Sequence, residues 1–132
     1  MLRTVRSENG QSMVEAALVF TLLVVIVLGL IDFAYIFQAY IGVVNAAGVG
    51  ATYAATSLAA ATNPNAIAAA ALAETDSWHC TNRWVTSTLT TDAYNYPMIR
   101  VTVSCQVADL ITIPDALDHI VVSSTAIRRV KQ

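Results

Sequence analysis

The chain has 132 residues, of which 56% are hydrophobic and 12% are charged, and its formal net charge is −2. This length suits one domain, and the composition is too apolar for an ordinary soluble domain, in which about 25% of residues are charged. The composition is typical of a protein that lies partly in lipid, and the formal net charge of −2 identifies no partner.

The N-terminal region combines a polar, basic start with a long apolar run. Residues 1–10 are too short to fold and are predicted to be a leader. In the run Ala16–Ile31, twelve residues are Leu, Ile, Val or Phe, and together they contribute about 5 kcal/mol towards membrane insertion. Large aromatic residues follow Asp32, where a signal peptidase would need small ones. We therefore predict that the run is retained as a membrane span over about residues 13–31.

The distribution of basic residues predicts the orientation of this span. Arg3 and Arg6 precede the apolar run, and the next Lys or Arg is Arg83. Because positive charge is retained on the cytoplasmic side, we expect the N-terminus in the cytoplasm and the C-terminal region outside.

The helix is predicted to continue well beyond the membrane. No proline occurs between Asp32 and Ser57, so we predict one helix over about residues 11–57, with an extracytoplasmic half at 32–57. This helix would be roughly 70 Å long, more than twice the thickness of the hydrocarbon core.

A stripe of small residues recurs at a spacing of four in the outer half of this helix. Such stripes are enriched at contacts between helices, because they let two backbones approach closely. Either a helix of another subunit or the chain's own C-terminal domain would cover it. The stripe consists of Gly42, Ala46, Gly50 and Ala54.

Residues 58–132 are predicted to form a small extracytoplasmic head. Ala59–Thr62 leads into a turn in which Asn63 is the expected N-cap and Pro64 the first helical residue, and a short helix follows over Ala66–Glu74. A strict alternation of apolar and polar residues predicts a strand at Met98–Val107. The other predicted strands are 85–91 and 120–130.

The predicted fold class is therefore α+β. It comprises a long N-terminal transmembrane helix, a short helix and a small antiparallel sheet of about three strands. The long helix is available to cover the apolar face of that sheet.

The two cysteines, Cys80 and Cys105, both lie in the part of the chain placed outside. In an oxidising compartment, two cysteines in so small a domain most often pair, and this pair would close a loop of about 25 residues. Two buried free thiols are the alternative. Cys105 lies on the apolar side of its predicted strand, which suits a buried disulfide.

The junction of a glycine and a nearby glutamate at the start of a long helix, followed by a small α+β head, resembles the type IV pilins and pseudopilins. More narrowly, the chain resembles the TadE-like family of the tight-adherence (Flp-type) pilus system. Thr21 stands where the family commonly has a proline. The segments that carry the resemblance are residues 10–19, 28–33, 45–47, 50–51 and 53–55, with a weaker likeness at 101–104 and 122–126.

This resemblance implies a processing site and an assembly role. Gly10 would be the last leader residue, removed by a prepilin peptidase, and Gln11 would become the new N-terminus. The protein would be a non-enzymatic structural subunit, more in keeping with a minor pilin than with the main subunit of the shaft. Its partners would be other pilin subunits, the peptidase, the inner-membrane assembly machinery and lipid. It would reside in the bacterial inner membrane with its C-terminus outside, or outside the cell in the assembled pilus.

Two carboxylates flank the apolar run and are predicted assembly residues. In a helical bundle, an unpaired Glu15 would cost several kcal/mol, so pairing it with the ammonium of Gln11, in the same chain or a neighbour, would set the axial register. The alternative for Glu15 is a carboxylate that reaches the inner membrane surface. Asp32 is either a carboxylate at the outer surface or the site of a specific contact in the bundle.

The sequence carries no strong signal for catalysis, a cofactor or a metal. It has neither a glycine-rich phosphate loop nor a nucleophile elbow. His79 and His119 with the two cysteines lack the paired spacing of a zinc site. The basic residues 128, 129 and 131 suit a solvated terminus better than a nucleic-acid site. The remaining alternative is a signal-anchored envelope protein whose outer domain binds a partner without entering a filament.

Overall fold

The computed structural model describes residues 8–74, 80–107 and 120–131. The chain divides into two compact units, Met1–Phe33 and Ala34–Gln132. Residues 112–119, for which the sequence around Pro114 predicts a turn or a single helical turn, lie outside the described residues, as do residues 1–7 of the predicted leader. The helices and strands are α1 (Glu8–Ala54), α2 (Leu58–Ala61), α3 (Pro64–Leu72), β1 (Cys80–Thr91), β2 (Pro97–Val107) and β3 (Val121–Arg129).

The long helix α1 has 47 residues and passes through Thr21 without interruption. It begins at Glu8 rather than Gln11, because adding a residue to an existing helix is far easier than nucleating one. It ends at Ala54 rather than Ser57. The reason is that Ser57 is extended, with φ −161°, and its side chain accepts a hydrogen bond from the Ala60 N–H at 3.2 Å as the N-cap of α2.

The two short helices follow the predicted turn chemistry. Asn63 caps α3 by accepting a hydrogen bond from the Ala66 N–H at 3.1 Å, and Pro64 is the first residue of the helix, as predicted. The segment expected to be only a turn contains α2, a single helical turn. Helix α3 ends at Leu72, two residues before the predicted end at Glu74.

The three strands form one antiparallel sheet in the order β1-β2-β3. In the central strand β2, the predicted alternation is confirmed. The buried residues on its inner side are Ile99, Val101, Val103, Cys105 and Val107. Strand β1 starts at Cys80, five residues before the predicted start at Val85, because it pairs with β2 as far as Val107 through a bulge between Cys80 and Asn82.

The core of the head lies between the inner side of this sheet, α3 and the part of α1 from Ala39 to Ala54. Ile67 and Ala71 of α3 are fully buried in it. The α+β, pilin-like architecture with a three-stranded antiparallel sheet is therefore confirmed, and the long helix covers the apolar side of the sheet.

A disulfide closes one end of the sheet. Cys80 and Cys105 are bonded, 25 residues apart in the sequence. Cys105 is fully buried, and no free cysteine is present among the described residues. The predicted pairing is confirmed, and a loop of this size stabilises the fold by about 3 kcal/mol in the chain-entropy account.

A carboxylate organises the opposite end, where a turn joins β1 to β2. Asp92 accepts hydrogen bonds at 2.9 Å from the backbone N–H groups of both Tyr94 and Tyr96. The guanidinium of Arg129, at the end of β3, lies 2.6 Å from the other carboxylate oxygen and stacks over the Tyr96 ring at 5.1 Å from its centroid. The turn is thereby tied to the far strand of the sheet.

These contacts hold the pKa of the Asp92 carboxyl below its ordinary value of 3.8. The backbone N–H of Tyr96 is the largest cause, the Tyr94 N–H and Arg129 act in the same direction, and burial opposes them. Because the folded-state pKa is the lower one, the ionised carboxylate stabilises the fold above the ordinary pKa. That contribution disappears as pH falls through the folded-state pKa.

We predict that the difference in Tm between the wild type and Asp92→Asn is constant near neutral pH and shrinks below about pH 4. Thermal unfolding in detergent from neutral to acidic pH measures it. Arg129→Gln keeps both backbone donors and should retain the larger part of the pH dependence. An equal Tm difference at acidic and neutral pH would contradict the assignment.

Candidate functional site

The N-terminal part of α1 has the properties of a membrane anchor. By length and composition, residues 10–54 hold a helix able to cross a membrane, a criterion that signal sequences and core helices of soluble proteins also meet. A soluble core helix would be mostly buried, whereas 0% of the most apolar window is buried here. The exposed side chains include Leu18, Phe20 and Leu22. This surface needs an apolar environment, so α1 is a candidate membrane anchor.

The polar groups in this part of α1 are arranged to limit the cost of an apolar environment. The Thr21 hydroxyl donates to the Ala17 carbonyl oxygen at 2.8 Å, so it is satisfied within its own helix.

The predicted processing and pairing residues Gly10, Gln11 and Glu15 are exposed. Gln11 and Glu15 are four residues apart and therefore neighbours on one face of the helix. A charge at either residue would lie within reach of the other.

Asp32, the second predicted assembly carboxylate, is half-buried. Neither Asp32 nor Glu15 has an ion pair within the part of the chain that the structure describes. Their roles in assembly stay predictions.

In the outer part of α1, the stripe of small residues faces the head. Ala46, Gly50 and Ala54 are buried and Gly42 is half-buried. Ala47 and Ala51, from the neighbouring row, are buried beside them. The head covers the stripe at Ala46, Gly50 and Ala54, whereas a Cβ added at Gly42 would meet nothing within 4 Å, so this end of the stripe is open.

Gly50 lies in close contact with the head. Of the α1 glycines 29, 42, 48 and 50, it alone has head atoms within 4 Å of an added Cβ. A Cβ atom added at Gly50 would lie 3.0 Å from the Ala71 Cβ and 3.2 Å from a Val101 methyl. The first distance is at the lower limit for carbon atoms in proteins, so a side chain here would push α3 and β2 away. A side chain at this position would make Ala71 and Val101 move by a few tenths of an ångström, so the packing favours glycine.

The opposite side of the same part of α1 is apolar and uncovered. We call it the open face, and it has a shallow groove along it bordered by Ala70, Glu74 and Arg128. A Cβ added at Gly48 would meet nothing within 4 Å. The Thr52 hydroxyl is bonded to the Gly48 carbonyl oxygen at 2.8 Å. The open face comprises Phe37, Ile41, Val44, Asn45, Gly48, Val49, Thr52 and Tyr53.

The predicted site did not include this open face. The stripe of residues 42 to 54 is predicted from the spacing of its small residues, and three of its four members lie on the side of the helix that the head covers. One sequence feature does indicate the open face: α1 is apolar on every side. A helix of this kind must be covered on all sides, including the side opposite the stripe.

No cluster of three or more metal-binding side chains occurs in residues 8–74, 80–107 and 120–131. His79 and His119, the histidines of the zinc alternative, lie outside the described residues.

Comparison with known families matches residues 10–52 to the family described as TadE-like protein. This match covers 43 of the 132 residues and lies within α1. No curated protein and no solved structure matches the chain. The resemblance to the TadE-like family, which is associated with the tight-adherence pilus, is thus confirmed over α1.

Two glycines of α1 form a matched test of its two sides. We predict that Gly50→Ala destabilises the head by about 1–3 kcal/mol, because its methyl group meets Ala71 and Val101. Gly48→Ala has open space, and it should stabilise the helix by up to about 1 kcal/mol through helix propensity. Urea unfolding followed by Trp fluorescence measures both. Equal midpoints for the two variants would contradict the packing assigned to Gly50.

Proposed function

Since the segment that matches the TadE-like family forms the helix α1, we propose that this chain is a non-enzymatic structural subunit. In this proposal it is a TadE-like minor pilin or pseudopilin that takes part in assembling an adhesive extracellular pilus. It is made as a single-pass protein of the inner membrane, with its head outside.

The open face of α1 is the observation that carries this proposal. A helix needs about 20 residues to cross the hydrocarbon core of a bilayer, whereas α1 has 47. The head covers one side of the outer part, and the other side keeps exposed Phe37, Ile41 and Val44. Lipid cannot cover residues that lie beyond the bilayer, so other protein subunits are the natural cover.

Gly48 gives the open face a shape that suits a helix. Without a side chain at this position, the backbone of a neighbouring helix can approach α1 closely. The exposed residues Val44 and Val49 flank this approach. Other pilin subunits, which bring helices of the same kind, are the proposed occupants.

Processing after Gly10 would prepare the helix for this assembly. Cleavage creates an ammonium group at Gln11, one helical turn from Glu15. It also removes Arg3 and Arg6, which hold the precursor at the cytoplasmic surface. In an apolar bundle, the ammonium and the carboxylate of Glu15, within one subunit or between two, stabilise each other and favour one axial register. A specific contact of Asp32 in the bundle is a further part of the proposal.

The envelope-anchor alternative accounts for the apolar N-terminal helix and the folded head. It does not account for an apolar open face beyond the length of a membrane span. For this reason we favour assembly into a filament.

We predict that the protein purified from bacterial membranes lacks residues 1–10. Intact mass spectrometry measures this directly. Gly10→Leu should retain the leader, as should the wild-type protein in cells without the prepilin peptidase. An unprocessed wild-type chain in cells with an active peptidase argues for the envelope-anchor alternative.

We also predict that Glu15→Ala and Gly48→Leu each lower incorporation into pili at least tenfold. The first removes the charge that pairs in the bundle, and the second fills the place of closest approach on the open face. The measurement is the fraction of subunit recovered in sheared, pelleted filaments relative to the membrane fraction.

Ser12→Ala, which changes an exposed polar residue of the same helix, is the matched control and should assemble normally. Both test variants should be processed and inserted like the wild type, because neither alters Gly10 or shortens the apolar run. Normal incorporation of Gly48→Leu would show that the open face is not an assembly surface.

A further inference from the structure

The side of the sheet that faces away from α1 forms a second surface, which we call the outer sheet face. Residues directly opposite each other on neighbouring strands point to the same side, so the strand register defines it. Along β2, its members alternate with the buried residues of the core, and along β1 and β3 most of them alternate with half-buried residues. Its rows are Asn82–Gln106–Val121, Trp84–Ser104–Ser123, Thr86–Thr102–Thr125, Thr88–Arg100–Ile127 and Thr90–Met98–Arg129.

Hydroxyl groups dominate this surface. Thr86, Thr88 and Thr90 are exposed along β1, and Thr125 is exposed on β3. The hydroxyls of Thr102 and Thr125 are bonded to each other across the strands at 2.8 Å. Side chains in neighbouring rows are about 7 Å apart and those in one row about 5 Å apart. The surface is therefore a dense grid of groups that both donate and accept hydrogen bonds.

A single large aromatic residue is set within this grid. Trp84 is 44% exposed. The rows on either side of it contain side-chain hydrogen bonds, from Asn82 to Gln106 at 2.9 Å and between the two threonine hydroxyls. Trp84 is thus an apolar platform between polar pairs that are already ordered, which lowers the entropic cost of binding a ligand there.

The charge on the outer sheet face is positive. None of its fifteen positions carries Asp or Glu. Arg129 is neutralised by Asp92 at 2.6 Å. Arg100 is exposed, and it has no acidic partner among residues 8–74, 80–107 and 120–131. Arg100 therefore offers an unpaired guanidinium, which binds carboxylates with two parallel hydrogen bonds.

From this combination we infer that the outer sheet face binds an acidic polysaccharide. The apolar C–H face of a sugar ring packs on the Trp84 indole, the hydroxyl groups of the chain bond to the threonine grid, and a uronate carboxylate pairs with Arg100. Trp84 and Arg100 are four residues apart along the sheet, or about 13 Å, so several sugar units span the two anchors.

A nucleic acid fits this surface less well. Single-stranded DNA carries a phosphate at every nucleotide and is bound by grooves with many basic residues. The outer sheet face supplies one unpaired cation and many neutral hydroxyls. A polymer rich in hydroxyl groups, with carboxylates that pair with Arg100, is the better complement.

The test measures binding of the full chain, in detergent micelles, to polygalacturonate by isothermal titration calorimetry, with neutral dextran and a single-stranded oligonucleotide as comparison probes. We expect saturable binding to polygalacturonate that weakens as NaCl rises from about 0.05 to about 0.5 M, since salt screens the ion pair. Arg100→Gln and Trp84→Ala should each lower the affinity at least tenfold.

Two matched variants act as controls. Arg128→Gln removes an arginine of β3. Arg128 pairs with Ile99 of β2, so it lies on the core side of the sheet. Tyr94→Ala removes an exposed aromatic ring from the β1–β2 turn. Both should bind polygalacturonate like the wild type, and an intact disulfide with an unchanged circular dichroism spectrum verifies the fold of every variant.

Three results would overturn the inference: no binding to polygalacturonate, equal affinity of the wild type and the Arg100 and Trp84 variants, or oligonucleotide binding at least as tight. Binding to dextran as tight as to polygalacturonate would also overturn the inference, because neutral dextran has no carboxylate to pair with Arg100. Because the open face of α1 is on the other side of the head's core, the Arg100 and Trp84 variants should still assemble into pili. Failure of this inference is thereby separate from failure of the proposed function.

Discussion

A helix that is apolar on all sides must be covered on all sides, and the rest of this protein depends on that constraint. The charged residues of α1 are Glu8, Glu15 and Asp32, and beyond Asp32 its polar side chains, such as Gln38 and Asn45, are few and neutral. Over Ala39–Ala54, the head supplies the cover for one side of the helix. The main structural role of the head is thus to cover this side of α1. One side of its sheet is apolar because that side packs against the helix.

The sheet of the head is fixed at both of its ends, and between these ends the head packs closely against α1. The Cys80–Cys105 disulfide fixes β1 to β2 at one end of the sheet. At the other end, Asp92 joins the turn to Arg129 of β3, and the Lys131 N–H bonds to the Ala55 carbonyl oxygen just after α1 at 3.0 Å. Between these anchors, the absence of a side chain at Gly50 lets Ala71 and Val101 reach the helix.

The sequence predicted those features that depend on local chemistry. The alternation from Ile99 to Val107, the cap at Asn63 and the apolar run of α1 each follow from neighbouring residues, and each is present. What it did not predict depends on contacts distant in the sequence. Strand β1 reaches back to Cys80 because β2 and the disulfide pair with it, although Asn82 and Arg83 interrupt the apolar pattern. The occupant of the small-residue stripe was undecidable for the same reason.

Gly48 and Gly50 show that the two sides of α1 have different surroundings. They are two residues apart, so they point to opposite sides of α1, and only the environment distinguishes them: Gly50 is packed against Ala71, whereas Gly48 opens onto a groove. A chain that needed only a membrane anchor and a stable head would have no use for an apolar, side-chain-free surface at Gly48. In the proposed filament, a helix of a neighbouring subunit covers this surface, which the head leaves open.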